Sequence, residues 1–290
     1  MKLRDIPIVT VGAGSQPEEP DGENLEYIQM PTGMSSYAPP STPEPEEVRD
    51  LLGAKEAMDW LTGALRKYAP EDEPLMANIG RLDAANRELV NQILGDGEVS
   101  ARFTGVVRAR MQESVLAGVW RTFYLDKDDN VLHDLIEVAD VPYLVRMPAS
   151  REPDPLARLT KLKPSEDVMN AMPILTEIRE HAQQFPLERQ PHSINLTLLP
   201  LSKEDVAFLE KALGKGPVDI LSRGYGDCRV VAAAVPNVWW VRFYNSMGTL
   251  ILDTIEIIDV PNVAKAAPED IRDSAARLEE IVEPYWGEME

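Results

Sequence analysis

Few residues in this chain are of the types that do chemistry. Cys228 is its only cysteine, and His133, His181 and His192 are its only histidines. Three scattered histidines and one thiol do not supply a conventional Cys/His zinc site or an all-cysteine iron–sulfur site within one chain. Cys228 with a histidine would make a nucleophile and base, yet no spacing pairs them. Its neighbours Arg229, Val230 and Val231 read as a strand start, where a buried structural thiol is usual. Asp134 with Glu137, and Asp253 with Glu256, look like paired carboxylates, but they recur at matching strand positions and so suit hydrogen-bond acceptance better than acid–base catalysis. The run Asp126-Lys127-Asp128-Asp129-Asn130 lacks the glycine and distal glutamate of a calcium loop and reads as a hairpin turn. Gly12-Ala13-Gly14 is followed by proline and acid where a pyrophosphate-binding helix would have to start. The expectation is a protein with no catalytic residue, no metal and no cofactor.

The elements that would position any site are written twice. VLHDLIEVADVP from Val131 lies against LILDTIEIIDVP from Leu250, 119 positions on. Leu94-Gly95-Asp96-Gly97-Glu98-Val99 matches Leu213-Gly214-Lys215-Gly216-Pro217-Val218, and each follows a helix-like run. Trp120-Arg121-Thr122-Phe123-Tyr124 aligns with Trp240-Val241-Arg242-Phe243-Tyr244 when one residue of slip is allowed. A period this long means two domain-sized units. Each reads α, short β, α, then an antiparallel sheet. The predicted elements are a helix over 45–68, a strand over 75–79, a helix over 84–93, and strands over 99–103, 106–111, 116–124 and 131–138. The second unit starts a helix at Pro164 and continues with a strand over 193–199 and a helix over 203–212. Strands over 228–235, 238–244 and 250–258 follow, and Pro268 starts a last helix. The fold class is α+β: two tandem pseudo-repeats, over 46–160 and 161–290, each an antiparallel sheet packed with helices, behind an extended arm over 1–45.

That arm is rich in proline and glutamate, with no lysine or arginine between Arg4 and Arg49. Such a composition does not fold alone. Leu25, Tyr27, Ile28, Met30, Met34 and Tyr37 punctuate it, which a pure linker would not need. It either lies over its own core or orders on a partner, with Met30, Pro31 and Met34 as an adaptable apolar centre.

The candidate binding surface comes from where the repeats differ. Arg223-Gly224-Tyr225-Gly226 forms a tight turn, and Trp239-Trp240 puts two indoles on opposite faces of one strand. With Trp240 matched to Trp120, Trp240 belongs to the core and Trp239 is the extra aromatic. Arg223, Gly224, Tyr225, Gly226, Cys228, Asn237 and Trp239 are therefore expected to meet a partner.

A net charge of −20 over 290 residues argues against non-specific binding to nucleic acid or anionic lipid. No apolar run approaches the roughly 20 residues of a membrane span, and the start lacks a secretory pattern. A lone cysteine fits a reducing, cytoplasmic compartment.

RGYGDCRV, NVWWVRFYNS, LILDTIEIIDVP and APEDIRDSAARLEEI resemble the C-terminal region of the HupH/HyaF family of hydrogenase expression proteins. VGAGSQPEEPD, YIQMPTGMSSYAPP and PEPEE resemble that family's start, and GDGEVSA its middle. The resemblance implies a cytoplasmic accessory factor for maturation of an uptake [NiFe] hydrogenase. Its implied action is that of a chaperone for the iron–sulfur small-subunit precursor, beside a thioredoxin-like maturation protein. The alternative is a scaffold that holds an iron–sulfur or metal intermediate through Cys228.

Overall fold

The computed structural model describes residues 43–70, 72–147, 154–224 and 226–286. The arm residues Met30, Pro31 and Met34, and Tyr225, lie outside them. In the first repeat the chain forms helices α1 (Pro45–Val48) and α2 (Leu52–Lys67), strand β1 (Leu75–Asn78) and helix α3 (Ala84–Leu94). Strands β2 (Val99–Thr104), β3 (Arg108–Glu113), β4 (Val119–Leu125) and β5 (Val131–Val138) follow. A short helix, α4 (Arg158–Lys161), leads into the second repeat. There α5 (Ala171–Glu188), β6 (His192–Asn195) and α6 (Lys203–Leu213) precede β7 (Lys215–Gly224), β8 (Gly226–Ala233), β9 (Val238–Tyr244) and β10 (Leu250–Ile257). Helix α7 (Pro268–Trp286) comes last.

Among the described residues the two repeats share one ten-stranded sheet, ordered β1-β5-β4-β3-β2-β7-β8-β9-β10-β6. Every pairing is antiparallel. The order reads the same from either end, because β2 and β7 are equivalent strands that meet at the middle. Ala101 lies opposite Ile220, its own counterpart, while Val99 faces Ser222 and Phe103 faces Val218. That register is the signature of a pseudo-twofold axis through the β2–β7 pair.

Apolar residues gather in three places. One cluster packs α2 and α3 on β4 and β5, and another packs α5 and α6 on β9 and β10. The third takes in Phe103, Met111, Val218, Ile220, Val230 and Trp239, along with Leu144, Val145 and Ala264 from the short 3-10 turns that follow β5 and β10. Alternation along each strand sends neighbouring residues to opposite faces, which is how Trp239 joins the central cluster and Trp240 the α5/α6 one.

The terminal segments are exchanged between repeats. Ile271, Ala275, Leu278 and Tyr285 of α7 join the cluster of the first repeat. There the Ser274 hydroxyl donates to the Ala117 carbonyl and Arg66 pairs with Glu279. Reciprocally, Leu159 of α4 is buried among residues of α5 and α6. Pro268, with Glu269 and Asp270 behind it, starts α7 with a ring that needs no N–H partner and two acids suited to the positive end of the helix dipole.

Several boundaries differ from expectation. The 45–68 helix is interrupted between Val48 and Leu52, where the Leu51 backbone leaves helical geometry. The second repeat does not enter its helix at Pro164. Helix α5 begins at Ala171, which puts Pro173 in the first turn, where no intrahelical bond is lost. The 193–199 strand ends at Asn195, whose side chain accepts from the Thr197 amide and turns the chain into a 3-10 helix over Leu196–Leu198. Strand β7 answers to no expected strand.

Candidate functional site

The cross-strand registers place the two repeats at a constant offset. Trp120 faces Glu137 and donates its indole N–H to the Ala139 carbonyl at 3.0 Å. Trp239 faces Glu256 and donates to the Ile258 carbonyl at 3.1 Å. Trp120 is thus the counterpart of Trp239, and the slip that joined it to Trp240 is wrong. Both Trp239 and Trp240 are buried, at 5% and 8% exposure, so Trp239 is a shared core residue and not an aromatic offered to a partner.

The residue that Trp240 replaces is Arg121. In the first repeat the Arg121 guanidinium grips Asp134 with both oxygens in reach, at 2.7 and 2.8 Å. In the second, the Trp240 indole donates to Asp253, whose other partner is Arg242. Arg242 also stacks over the Trp240 ring at 4.4 Å. The two aspartates do the same job with different donors. A buried carboxylate must be matched by donors or charge, so these groups hold the sheet and its helices.

Three further acids, Glu137, Asp140 and Asp205, are also held. Glu137, fully buried, accepts from the Tyr143 amide at 2.9 Å, and burial pushes its carboxyl up. Asp140 pairs with Arg146 and binds the Tyr68 hydroxyl. Asp205 completes a capping box with Ser202 and accepts three amides from the start of α5, from Met169, Asn170 and Ala171. Those bonds lower its pKa against the pull of burial.

Cys228 is buried in the central cluster, opposite Ser222. Burial, with the Glu256 charge behind it, pushes its thiol up to about 12. A nucleophile or metal ligand needs the thiolate, which this setting disfavours. Its counterpart in the register is Ala109, across from Phe103.

Asn237 holds a turn. Its φ is 61°, matching the 75° of Gly118 in the first repeat, and each carbonyl accepts from the amide one strand over, that of Ile258 and that of Ala139. Asparagine tolerates this left-handed region better than most residues. Asn237 and Trp239 do meet, with Val145, Arg146 and Asp259, around a cavity of about 160 Å³. That is below the roughly 300 Å³ where small-molecule sites begin. Of the predicted turn, Arg223 is exposed. Gly226 has φ 129°, and a Cβ there would come within 2.4 Å of the Tyr244 carbonyl oxygen. The glycine is needed so that the β7–β8 hairpin can press against the β9–β10 hairpin. The expected surface therefore divides: Arg223 faces out, Gly226 is a structural contact, and Cys228 and Trp239 are core.

One grouping was not expected. His181 on α5 and His192 at the start of β6 stack face to face, ring centroids 3.5 Å apart. Glu177, one turn before His181, reaches His192 Nε2 at 2.7 Å. The Glu177–His181 spacing was readable as one helix face, but the arrival of β6 beside it was not.

Among the described residues no helix is long and apolar enough to cross a membrane. The profile of the HupH hydrogenase expression protein C-terminal conserved region matches twice, over residues 51–163 and 168–285. Hydrogenase expression/formation protein HoxQ of Cupriavidus necator is 44% identical over 277 residues, covering 96% of each chain. Hydrogenase expression/formation protein HupH of Rhizobium leguminosarum bv. viciae is 41% identical, covering 92% of this chain and 97% of its own. Hydrogenase-1 operon protein HyaF of Escherichia coli is 33% identical over 217 residues, 74% of this chain and 75% of its own. Two copies of one conserved region, joined through equivalent strands, make this chain a member of the HupH family of hydrogenase expression proteins.

Proposed function

We propose that the chain is a cytoplasmic accessory factor in hydrogenase maturation that holds a protein client, the iron–sulfur small-subunit precursor, and catalyses no reaction. The observation that carries this is near-full-length similarity to proteins named for hydrogenase expression and formation. The polar chemistry supports it: Asp134, Glu137 and Asp205 are engaged in an ion pair, a turn and a helix cap. The scaffold reading through Cys228 is the weaker one, since a buried thiol raised to about 12 is a poor ligand.

The client surface in this proposal is the hairpin end of the second repeat. Arg223 and Asp227 are exposed there, and Met247, Leu250 and Ile251 of the neighbouring hairpin are 88%, 45% and 57% exposed. The arm segment with Met30, Pro31 and Met34 is a separate candidate for contact with the client. A net charge of −20 suits a client segment rich in arginine.

The test is light scattering of purified protein mixed with small-subunit precursor or with mature large subunit, metal-free and in reductant. Stoichiometric capture of the precursor alone, weakened by high salt and lost in Met247→Asp/Ile251→Asp, is the expected result. Equal capture of the large subunit, or none of the precursor, overturns the proposal.

A further inference from the structure

The two repeats can be compared position by position where the first helix meets the edge strand. The buried residues of α2 (Ala54, Ala57, Met58, Leu61, Leu65) and of α5 (Ala171, Ile174, Leu175, Ile178, Ala182) fall in one phase. The edge strands take the same register, Leu75 opposite Val138 and His192 opposite Ile257. In this alignment Glu177, His181 and His192 stand where the first repeat has Trp60, Ala64 and Leu75. Those three are apolar and pack on the first repeat's core. One copy of the unit closes this corner with hydrocarbon. The other fills it with two imidazoles and a carboxylate.

We propose that Glu177, His181 and His192 bind one divalent late first-row transition ion, with an open coordination position toward solvent. One ligand atom from each of the three lies within 4.8 Å of the other two. With metal–nitrogen bonds of about 2.0–2.1 Å, tetrahedral ligand atoms sit roughly 3.3 Å apart. The two imidazoles, stacked 3.5 Å apart and nearly parallel, would each have to turn out of the stack by roughly 55° to aim an in-plane lone pair at one ion, given a nitrogen separation of about 3.3 Å and bonds of about 2.0–2.1 Å. Glu177 Oε1 is already at 2.7 Å from His192 Nε2, a separation the ion would widen as it takes the place of the shared proton. The set of two neutral nitrogens and one oxyanion suits zinc, cobalt or nickel over calcium or magnesium. Side-chain exposures of 28% for His192 and 46% for Glu177 leave an entry path. Glu177 and His181 are four apart on one helix face, and His192 comes from the strand that borders it, so the ion would tie α5 to the outer edge of the sheet.

The experiment titrates metal-stripped full-length protein with Co(II), following the visible d–d absorption, and then displaces it with Zn(II). The expected result is saturation at one Co(II) per chain, with the absorption of a four- or five-coordinate site, and a rise in Tm on adding Zn(II). His181→Ala and His192→Ala should each weaken binding by at least about a hundredfold, and Glu177→Gln by about tenfold (magnitudes scaled from ligand-shell changes). His133→Ala, remote from the cluster, should titrate as wild type. Metal-free circular dichroism of each variant reports folding, and Glu177→Gln, at a half-exposed position, keeps the test available if a histidine variant fails to fold. Absence of saturable binding, or binding that survives both Glu177→Gln and His192→Ala, overturns the proposal.

Discussion

Ala101 lies directly opposite Ile220 where the two repeats join, and each is the other's counterpart in the duplication. Both are buried, at 2% exposure. A single sheet crosses the junction, and α7 and α4 cross it in opposite directions, so neither half keeps its full core alone. Ile220→Ala should cost about 2–5 kcal/mol, the range for truncating a buried isoleucine. It should lower one cooperative transition for the whole body. Urea unfolding followed by tryptophan fluorescence and by far-ultraviolet circular dichroism checks this. Two separated transitions would mean that the repeats fold independently.

The Arg121–Asp134 pair is enclosed, with both side chains 7% exposed. Arg121→Ala leaves Asp134 buried without its cation, a loss of about 3–5 kcal/mol. The double variant Arg121→Ala/Asp134→Ala removes the stranded charge and should be more stable than the single. Denaturation midpoints of the four proteins in that cycle measure the coupling. A double variant no better than Arg121→Ala would show that Asn91, which binds the Arg121 guanidinium at 2.7 Å, carries the effect.

Much of this architecture was legible in the sequence, for reasons that also explain what was not. Strands β5 and β10 repeat an Asp, an Ile-Glu and an Asp-Val-Pro, and the aspartates meet cations in both units, Asp134 and Asp140 in the first and Asp253 and Asp259 in the second. Strand β7 escaped because Gly216, Pro217 and the Ser222-Arg223-Gly224 end read as a loop, although its counterpart β2 reads clearly. The mismatch of Trp120 with Trp240 came from identity of letters, where only cross-strand register fixes which face a residue takes. His181 and His192 looked scattered because a helix end and a turn separate them. Their stacking is decided by how β6 docks, a tertiary fact.

Glu113 gives the body a pH response. Burial pushes its carboxyl up from 4.5 to about 7, and the charges of Glu98 and Asp270 add to the effect. The folded state holds this proton more tightly than the unfolded chain does. Its contribution is therefore full below about pH 4.5, declines as pH rises, and is gone above about pH 7. Asp270 lies in the first turn of α7, so charging Glu113 opposes the docking of that helix. Glu113→Gln should flatten the slope of Tm between pH 5 and 7.5 (the window of a carboxyl raised in this way) and be more stable than wild type at pH 8. An unchanged slope would assign the response to other buried acids such as Glu137.

Cys228 should be silent in the native state. Its thiol, raised to about 12 within the central cluster, should react with a disulfide reagent only as fast as the protein unfolds. Cys228→Ala places the residue of its counterpart Ala109 in the same register position, so the fold should persist. In a strain lacking the native gene, that variant should support hydrogenase maturation as wild type does. Loss of maturation by a folded Cys228→Ala protein would revive the scaffold reading and displace the client-holding one.

Gly118 and Asn237 occupy one left-handed turn position in two settings, and exchanging them separates backbone need from packing need. At 118 an added Cβ would meet Ile271 Cγ1 at 2.6 Å, because α7 lies over that turn. Asn237, with φ 61°, keeps a side chain that reaches Asp259 at 3.3 Å. Asn237→Gly keeps the backbone conformation and loses a weak exposed bond, so its cost should stay within about 0.5–1 kcal/mol, mostly unfolded-chain entropy. Gly118→Asn satisfies the same φ but drives a side chain into Ile271. It should cost more than 2 kcal/mol, as overpacking does, and it should loosen α7 first. Hydrogen exchange of the α7 amides reads that directly: faster exchange over 271–286 in Gly118→Asn alone is the expected pattern. If both variants behaved alike, the turn would be limited by its backbone angle, and the contact with α7 would not explain why only one repeat kept glycine there.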